Sequence, residues 1–364
     1  MTDSEKATGR RQFLASAALV STALATKPFA IHAQDKAGSK LPVVGSGEHT
    51  YECHHNWGEA PPNIKWYETH GCAVDKAGNV YITHRAAANL PKSPKDCQDT
   101  IVVFDPKGKF IRSFGWQFTS GGHGIDIREE NGEEFLYLAY MMPVNLIEKT
   151  NLKGERVWLK DRPPEAHVYD QPKARFAPTN IAFAPDGSFY LADGYGSNYI
   201  HHYDKDGIWK KTFGGTGTDA GKFRTAHGIW VDARPGREPM LVIADRANNR
   251  LQYLSLDGKP VSMDTANVSF PAHIETRGDI MMVPDLHARI TLFDKDNKVI
   301  THLGYNADWT KEVLDGMKVR QDPKRWQAGR FVHPHDACFD NDGNIVVAEW
   351  VVPGRLTYLR KVSG

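Results

Sequence analysis

A short phrase built around histidine and small residues returns along the 364-residue chain, each time opening a run of β-forming residues. It reads T-H-G-C-A-V at His70, G-H-G-I-D-I at His123, A-H-G-I-W-V at His227, P-A-H-I-E at His273 and H-P-H-D-A-C-F at His335. A sixth copy, P-T-N-I-A-F, carries Asn180 in place of the histidine. Successive copies lie 53, 57, 47, 46 and 62 residues apart. Repeats of this length belong to architectures whose units cannot bury their apolar faces alone and share a core with their neighbours. If the units close into a ring, the phrase sets imidazoles around one axis. The repeat therefore constrains fold and chemistry together.

Each unit continues from the phrase into a hairpin. A-V-D-K-A-G-N-V-Y-I-T-H in the first, F-A-P-D-G-S-F-Y-L-A-D-G in the third and C-F-D-N-D-G-N-I-V-V-A-E-W in the sixth place Asp/Asn-Gly turns between alternating strands. A second set of turns, F-D-P-K-G, Y-D-K-D-G, L-S-L-D-G and F-D-K-D-N, closes an outer hairpin. No stretch combines a helical period with caps, so the fold class is all-β. Six units over about 330 residues give roughly 55 each, the size of a four-stranded blade with long loops. The expected fold is a six-bladed β-propeller over residues 35–364, closed where residues 36–62 meet the final R-L-T-Y-L-R-K-V. Two three-unit domains are the alternative, and no linker-like stretch separates the halves.

Residues 1–34 are set apart from the fold as a targeting segment. Arg10 and Arg11 precede Phe13, Leu14 and an Ala-rich, weakly apolar run, which resembles a twin-arginine export signal. Gly9 and Ala15 depart from the usual flanking residues. The run is too short for an ordinary membrane span. The expectation is a periplasmic or secreted protein with no stable membrane insertion after processing; an uncleaved N-terminal anchor is the alternative. Lys and Arg (45) nearly balance Asp and Glu (44), which leaves no strong field to gather nucleic acid. A small-molecule or peptide substrate is the expected partner, and a closed ring needs no second copy, so a monomer is expected. An oxidising compartment allows a disulfide. Cys53 and Cys97 lie in loop-like sequence and are the expected pair, whereas Cys72 and Cys338 read as buried strand residues.

In a propeller the first strand of each blade lines the central channel, so equivalent positions form a ring. A catalytic metal takes three protein ligands and keeps one position open. Blades 2, 4 and 6 supply His123, His227 and His335, which alternate around that ring. Three neutral imidazoles suit Zn, Fe, Cu or Co rather than Ca or Mg. His70 and His273 read as supporting hydrogen-bond donors or channel lining. Tyr195 in L-A-D-G-Y-G-S-N-Y, Arg85 in Y-I-T-H-R-A and Arg246 in I-A-D-R-A-N-N-R fall just past strand ends, where loops face the channel mouth. An arginine and a divalent cation favour phenolate over the ordinary tyrosine pKa of about 10, which fits Tyr195 for a general base. The plain alternative is structural: a strand-capping histidine, a tyrosine stacked in its loop, an arginine paired with an acid on a neighbouring blade.

The A-D-R-A-N-N-R-L-Q-Y-L segment resembles the NHL repeat, a propeller-blade family. The wider set resembles the catalytic core of peptidyl-α-hydroxyglycine α-amidating lyase, a six-bladed NHL propeller. That family's phrases P-H-G-L, P-H-S-L and P-H-D-I at its zinc histidines are similar to G-H-G-I at His123, A-H-G-I at His227 and P-H-D-A at His335. Its S-D-G-Y segment is similar to A-D-G-Y at Tyr195, and its F-H-R to T-H-R at Arg85. The resemblance runs in order from about residue 65 to 360. It implies Zn2+ on the three histidines, with Fe or Cu as alternatives, and a structural Ca2+ on Asp336 and the backbone carbonyls of Cys72 and Ile125. It further implies Tyr195 as base, Arg85 beside the phenolate, and Arg246 gripping a substrate carboxylate. The reaction implied is cleavage of the C–N bond of an N-acyl carbinolamine to an amide and an aldehyde such as glyoxylate.

The departures bear on the substrate. Gly196 follows the tyrosine where the family has a disulfide cysteine, and the A-D-R-A-N-N-R blade lacks the family's second disulfide. No copper monooxygenase domain stands among these 364 residues to supply a hydroxyglycine. Fold and metal carry over further than the substrate does. A lactonase or esterase using the same metal, and a non-catalytic NHL binding scaffold, are the competing functions.

Overall fold

The computed structural model describes residues 41–86, 93–142 and 144–362, so the segment 1–34 lies outside the described residues. Six antiparallel sheets follow one another along the chain. Their innermost strands are Glu68–Val74, Gly122–Glu130, Asn180–Phe183, Ala226–Asp232, Glu275–Arg277 and Pro334–Phe339, the strands that carry or follow the repeated phrase. Blades 1 to 5 are four-stranded. In blade 6 the chain ends meet: His49–His55 pairs with Arg355–Lys361, Tyr51 lying opposite Lys361 and His55 opposite Thr357. Val43–Ser46 adds a fifth strand outside it. The protein is an all-β, six-bladed propeller closed as the sequence leads one to expect.

Strand alternation explains why the ring holds. Successive residues point to opposite faces of a blade, and both faces are covered. In blade 1, Val80 and Ile82 pack against Val346 and Ala348 of blade 6, while Tyr81 packs against Leu136 and Leu138 of blade 2. The same arrangement gives one apolar core between each pair of neighbouring blades, including the closing pair. Burying each such Val, Ile or Leu contributes about 1.5–3 kcal/mol.

Two expectations are corrected. Among the described residues there is one α-helix, Ala307–Leu314, in the long connection from blade 5 to blade 6. Asn306 caps it by accepting the Trp309 N–H, and Trp309 and Val313 form its buried face. Eight residues are too few for a sequence period to stand out. All four cysteines are free thiols. Cys53 is not in a loop: it sits in the fourth strand of blade 6 and is 1% exposed, its sulfur 3.4 Å from His55 Nε2. No helix among the described residues is long and apolar enough to cross a membrane.

The phrase itself has a backbone signature. The pairing register slips at Thr69/Cys72, Gly122/Ile125, Ala226/Ile229 and Pro334/Asp336, one β-bulge at each of four phrase histidines. Blade 3, with Asn180, pairs without a slip. A bulge re-aims the side chain it carries. The glycine after the histidine has a separate cause. A Cβ on Gly124 would stand 2.3 Å from the Thr179 carbonyl oxygen, and one on Gly228 would stand 2.7 Å from that of Ala272. Only glycine lets the next blade's backbone come this close.

Candidate metal centre

Those two carbonyls fix the tautomer of the ring histidines. His123 Nδ1–H donates to the Thr179 carbonyl at 2.8 Å, and His227 Nδ1–H to that of Ala272 at 2.6 Å. His335 Nδ1–H donates to the His70 carbonyl at 2.9 Å. A carbonyl only accepts, so Nδ1 carries the proton and each Nε2 keeps its lone pair. Burial, with help from neighbouring imidazoles and Arg246, holds all three pKa values well below the ordinary histidine value, so the rings are neutral. Their ligand atoms lie within 4.8 Å of one another. His123 Nε2 and His227 Nε2 face each other at 3.2 Å. Neither can donate to the other, so two lone pairs meet head-on unless a cation stands between them. A small void of about 10 Å³, lined by the three rings with Asn180, His273 and Asp336, has room for a single ion or water. The donor set fits a transition metal.

Tyr195 borders this centre. Its hydroxyl oxygen lies 3.0 Å from His227 Nε2 and accepts from Arg246 Nη2 at 3.0 Å. Its ring meets those of His123 and His227 edge-on at 5.2 and 5.4 Å. Asp193 holds the loop, accepting the Ala177 N–H at 2.6 Å and the Ser197 N–H at 2.8 Å. A Cβ on Gly196 would fall 2.0 Å from that carboxylate, which is why a cysteine does not fit after the tyrosine here.

Arg85 is near enough to the centre for its charge to help lower the His123 pKa, and blade 1 and its neighbour hold its guanidinium. Its Nη1 donates to Glu68 at 3.2 Å and its Nε to the Ser120 carbonyl at 3.2 Å. Glu68 also faces His70 Nε2 at 3.5 Å and accepts from Arg320. Burial alone would raise the Glu68 carboxyl, but His70, Arg320 and Arg85 outweigh it and hold the pKa at about 2. The arginine that donates to the Tyr195 hydroxyl is Arg246, the one the sequence pairs with a substrate carboxylate. His70 serves the centre through its backbone carbonyl, and its ring is engaged at both nitrogens, by Gly122 and Glu68.

Asp336 lines the histidine void, and His273 lines both that void and a second cavity of about 160 Å³ bordered by Cys72, Ile125, Asp126, Glu275 and Cys338. Asp336 accepts N–H groups from Cys72 at 3.2 Å and Ala337 at 2.8 Å, and faces His273 Nε2 at 3.4 Å. Asp126 Oδ2 is buried with no hydrogen-bond partner. Burial pushes Asp126 up to about 7, and burial with mutual repulsion pushes Glu275 and Asp336 well above the carboxylate range. Carboxylate and carbonyl oxygens are the donors a hard cation such as Ca2+ takes, but among the described residues the three histidines are the one group of His, Cys, Asp or Glu ligand atoms that lie within reach of a shared ion. The sequence points to Asp336 but passes over Asp126, Glu275, Glu68 and Arg320, which follow no repeat of their own. For the three acids the one available signal is a spacing of two or three residues from a phrase histidine; Arg320 has no such signal.

Fold and site together define a six-bladed β-propeller with a three-histidine centre at one end of its channel. No family model matches the chain. It is 26% identical over 325 residues to peptidyl-alpha-hydroxyglycine alpha-amidating lyase 1 of Drosophila melanogaster, covering 79% of this chain and 56% of that protein. It is 24% identical over 302 residues to peptidyl-glycine alpha-amidating monooxygenase of Mus musculus, covering 77% of this chain and 29% of that protein. A Bacteroides thetaiotaomicron protein of unknown function has a similar structure, with a TM-score of 0.57 at 11% identity over 85% of this chain and 76% of that one. The chain thus spans about half of one curated relative and under a third of the other. It is similar to the amidating lyases, and that similarity supports a propeller enzyme of their type.

Proposed function

We propose that this protein is a metal-dependent lyase that cleaves the C–N bond of an N-acyl carbinolamine, R-CO-NH-CH(OH)-R′, to an amide and an aldehyde. The observation that carries the reading is the Tyr195 hydroxyl, 3.0 Å from both His227 Nε2 and Arg246 Nη2. His123, His227 and His335 would hold Zn2+, or Fe or Cu in its place. A bound divalent ion supplies Lewis acidity that lowers the pKa of a hydroxyl it holds. Tyr195, as phenolate, takes the proton of the substrate hydroxyl while the C=O bond forms and the C–N bond breaks. The departing amide nitrogen takes that proton back, so the tyrosine returns to the state in which it began. Arg246 faces the phenolate oxygen and stabilises its charge. Asp336 with the Cys72 and Ile125 carbonyls would hold Ca2+. The Arg10–Arg11 segment supports export to the periplasm.

The test is Tyr195→Phe with α-hydroxyhippurate as substrate and elemental analysis of the purified protein. The variant should keep its transition metal and lose about 100-fold or more in kcat, the scale of general-base catalysis. Normal turnover by Tyr195→Phe removes the tyrosine from the chemistry. Turnover of lactones but not of the carbinolamide makes the protein a hydrolase on the same centre.

A further inference from the structure

Tyr195, His227 and Arg246 come from two blades and three separate segments, yet one stretch of backbone touches all three. Arg224–Thr225–Ala226 leads directly into His227. The Arg246 N–H donates to the Thr225 carbonyl at 3.0 Å, and the Ala247 N–H to that of Arg224 at 2.9 Å. Thr225 holds φ +62°, a left-handed conformation that a β-branched residue seldom adopts. Something must hold it there from the N–H side.

Asn198 does so. Its Oδ1 accepts the Thr225 N–H at 2.7 Å and the Ala226 N–H at 3.2 Å, reaching from blade 3 into blade 4. Its Nδ2 donates to Thr216 Oγ1 at 3.0 Å, and its own N–H donates to the Asp193 carbonyl at 2.9 Å. The side chain is buried and lies three residues beyond Tyr195 in the same loop. Gly194, the residue before the tyrosine, rests against the strand from the other side: a Cβ there would be 2.0 Å from the Ala226 carbonyl oxygen. One amide and one glycine therefore fasten the tyrosine loop to the strand that carries His227, and the same strand segment carries the backbone of Arg246.

We propose that Asn198 is the positioning residue that sets Tyr195 against His227 and Arg246. The inference rests on the lyase reading above. Misplacing a reacting group by about 1 Å can cost 100-fold in rate. Asn198→Ala strips the acceptor from two N–H groups, whereas Asn198→Asp keeps an acceptor oxygen facing both. With α-hydroxyhippurate, Asn198→Ala should lose about 10- to 100-fold in kcat with KM changed less than about threefold and the histidine metal retained. Asn198→Asp should recover to within about threefold of the parent kcat. Two slow variants with no recovery, or a rate that falls in proportion to metal content, would make Asn198 a structural residue only and overturn the proposal. A parent-like kcat in Asn198→Ala beside an inactive Tyr195→Phe overturns it while leaving the lyase reading standing; an active Tyr195→Phe overturns both. If Asn198→Ala does not fold, Thr216→Val loosens the same amide from its other end. It should lose about three- to tenfold in kcat at unchanged metal content, and a parent-like kcat overturns the proposal.

Discussion

Blades 1 and 4 are made from the same parts. Each carries His-Gly at a bulge, His70 and His227, and each has an arginine at or just beyond the end of its second strand, Arg85 and Arg246. Each histidine donates Nδ1–H to a carbonyl of the following blade, Gly122 for one and Ala272 for the other. They differ two residues before the histidine, where blade 1 has Glu68 and blade 4 has Thr225. In blade 1 the carboxylate gathers His70, Arg85 and Arg320 into a closed ion network. In blade 4 no acid among the described residues pairs with either group, and His227 Nε2 and Arg246 Nη2 both converge on the Tyr195 hydroxyl. The repeated phrase decides where a side chain stands. A neighbouring charge decides what it is able to do there.

Deleting the two histidines tests this most sharply. His227→Ala should leave less than about a tenth of an equivalent of transition metal, because two remaining imidazoles do not make a three-ligand site. His70→Ala should retain most of it, since the His70 backbone carbonyl still receives the His335 proton. Equal metal loss in both, read by elemental analysis, would erase the distinction between the blades. The arginines come next in size. Arg246→Ala removes a charge-assisted hydrogen bond to the tyrosine and should lower kcat about 100-fold, whereas Arg85→Ala, already committed to Glu68, should lower it about tenfold or less. A reversed order would return the phenolate to Arg85.

Much of this architecture was legible in the sequence because repetition amplifies it. Six spaced copies, Asp/Asn-Gly turns and period-2 strands define the blades, and the alternation of His123, His227 and His335 falls out of counting them. What repetition does not encode is what was missed. Glu68, Asp126 and Glu275 each occur once, and their effect depends on which side chains the ring closure brings against them. Asn198 works across a blade boundary, through backbone groups that a sequence does not display. The helix Ala307–Leu314 lies in a connection with no counterpart in the other blades. The disulfide expectation failed for a related reason: Cys53 reads as loop until the chain ends pair, and ring closure makes its segment a strand.

The smallest effect concerns acid, and it follows from the one carboxylate blade 4 lacks. In the unfolded chain Glu68 takes up a proton near its ordinary 4.5, but in the folded protein not until about 2. Below pH 4.5 the unfolded state therefore binds more protons, and folding stability falls as pH drops, the contribution being fully present above that range and gone below about 2. Other buried groups slope both ways: burial lowers the histidines, while Asp126 and Asp193 rise to about 7. Only the difference between the parent protein and Glu68→Gln isolates the network, since groups common to both cancel. That difference in unfolding free energy, measured by denaturant titration of metal-free protein, should be flat above about pH 5.5. It should shrink by on the order of 1 kcal/mol by pH 3.5. Curves that stay parallel to pH 3.5 would mean that Glu68 holds its two arginines and His70 no more tightly than water does, and the two blades would differ in geometry alone.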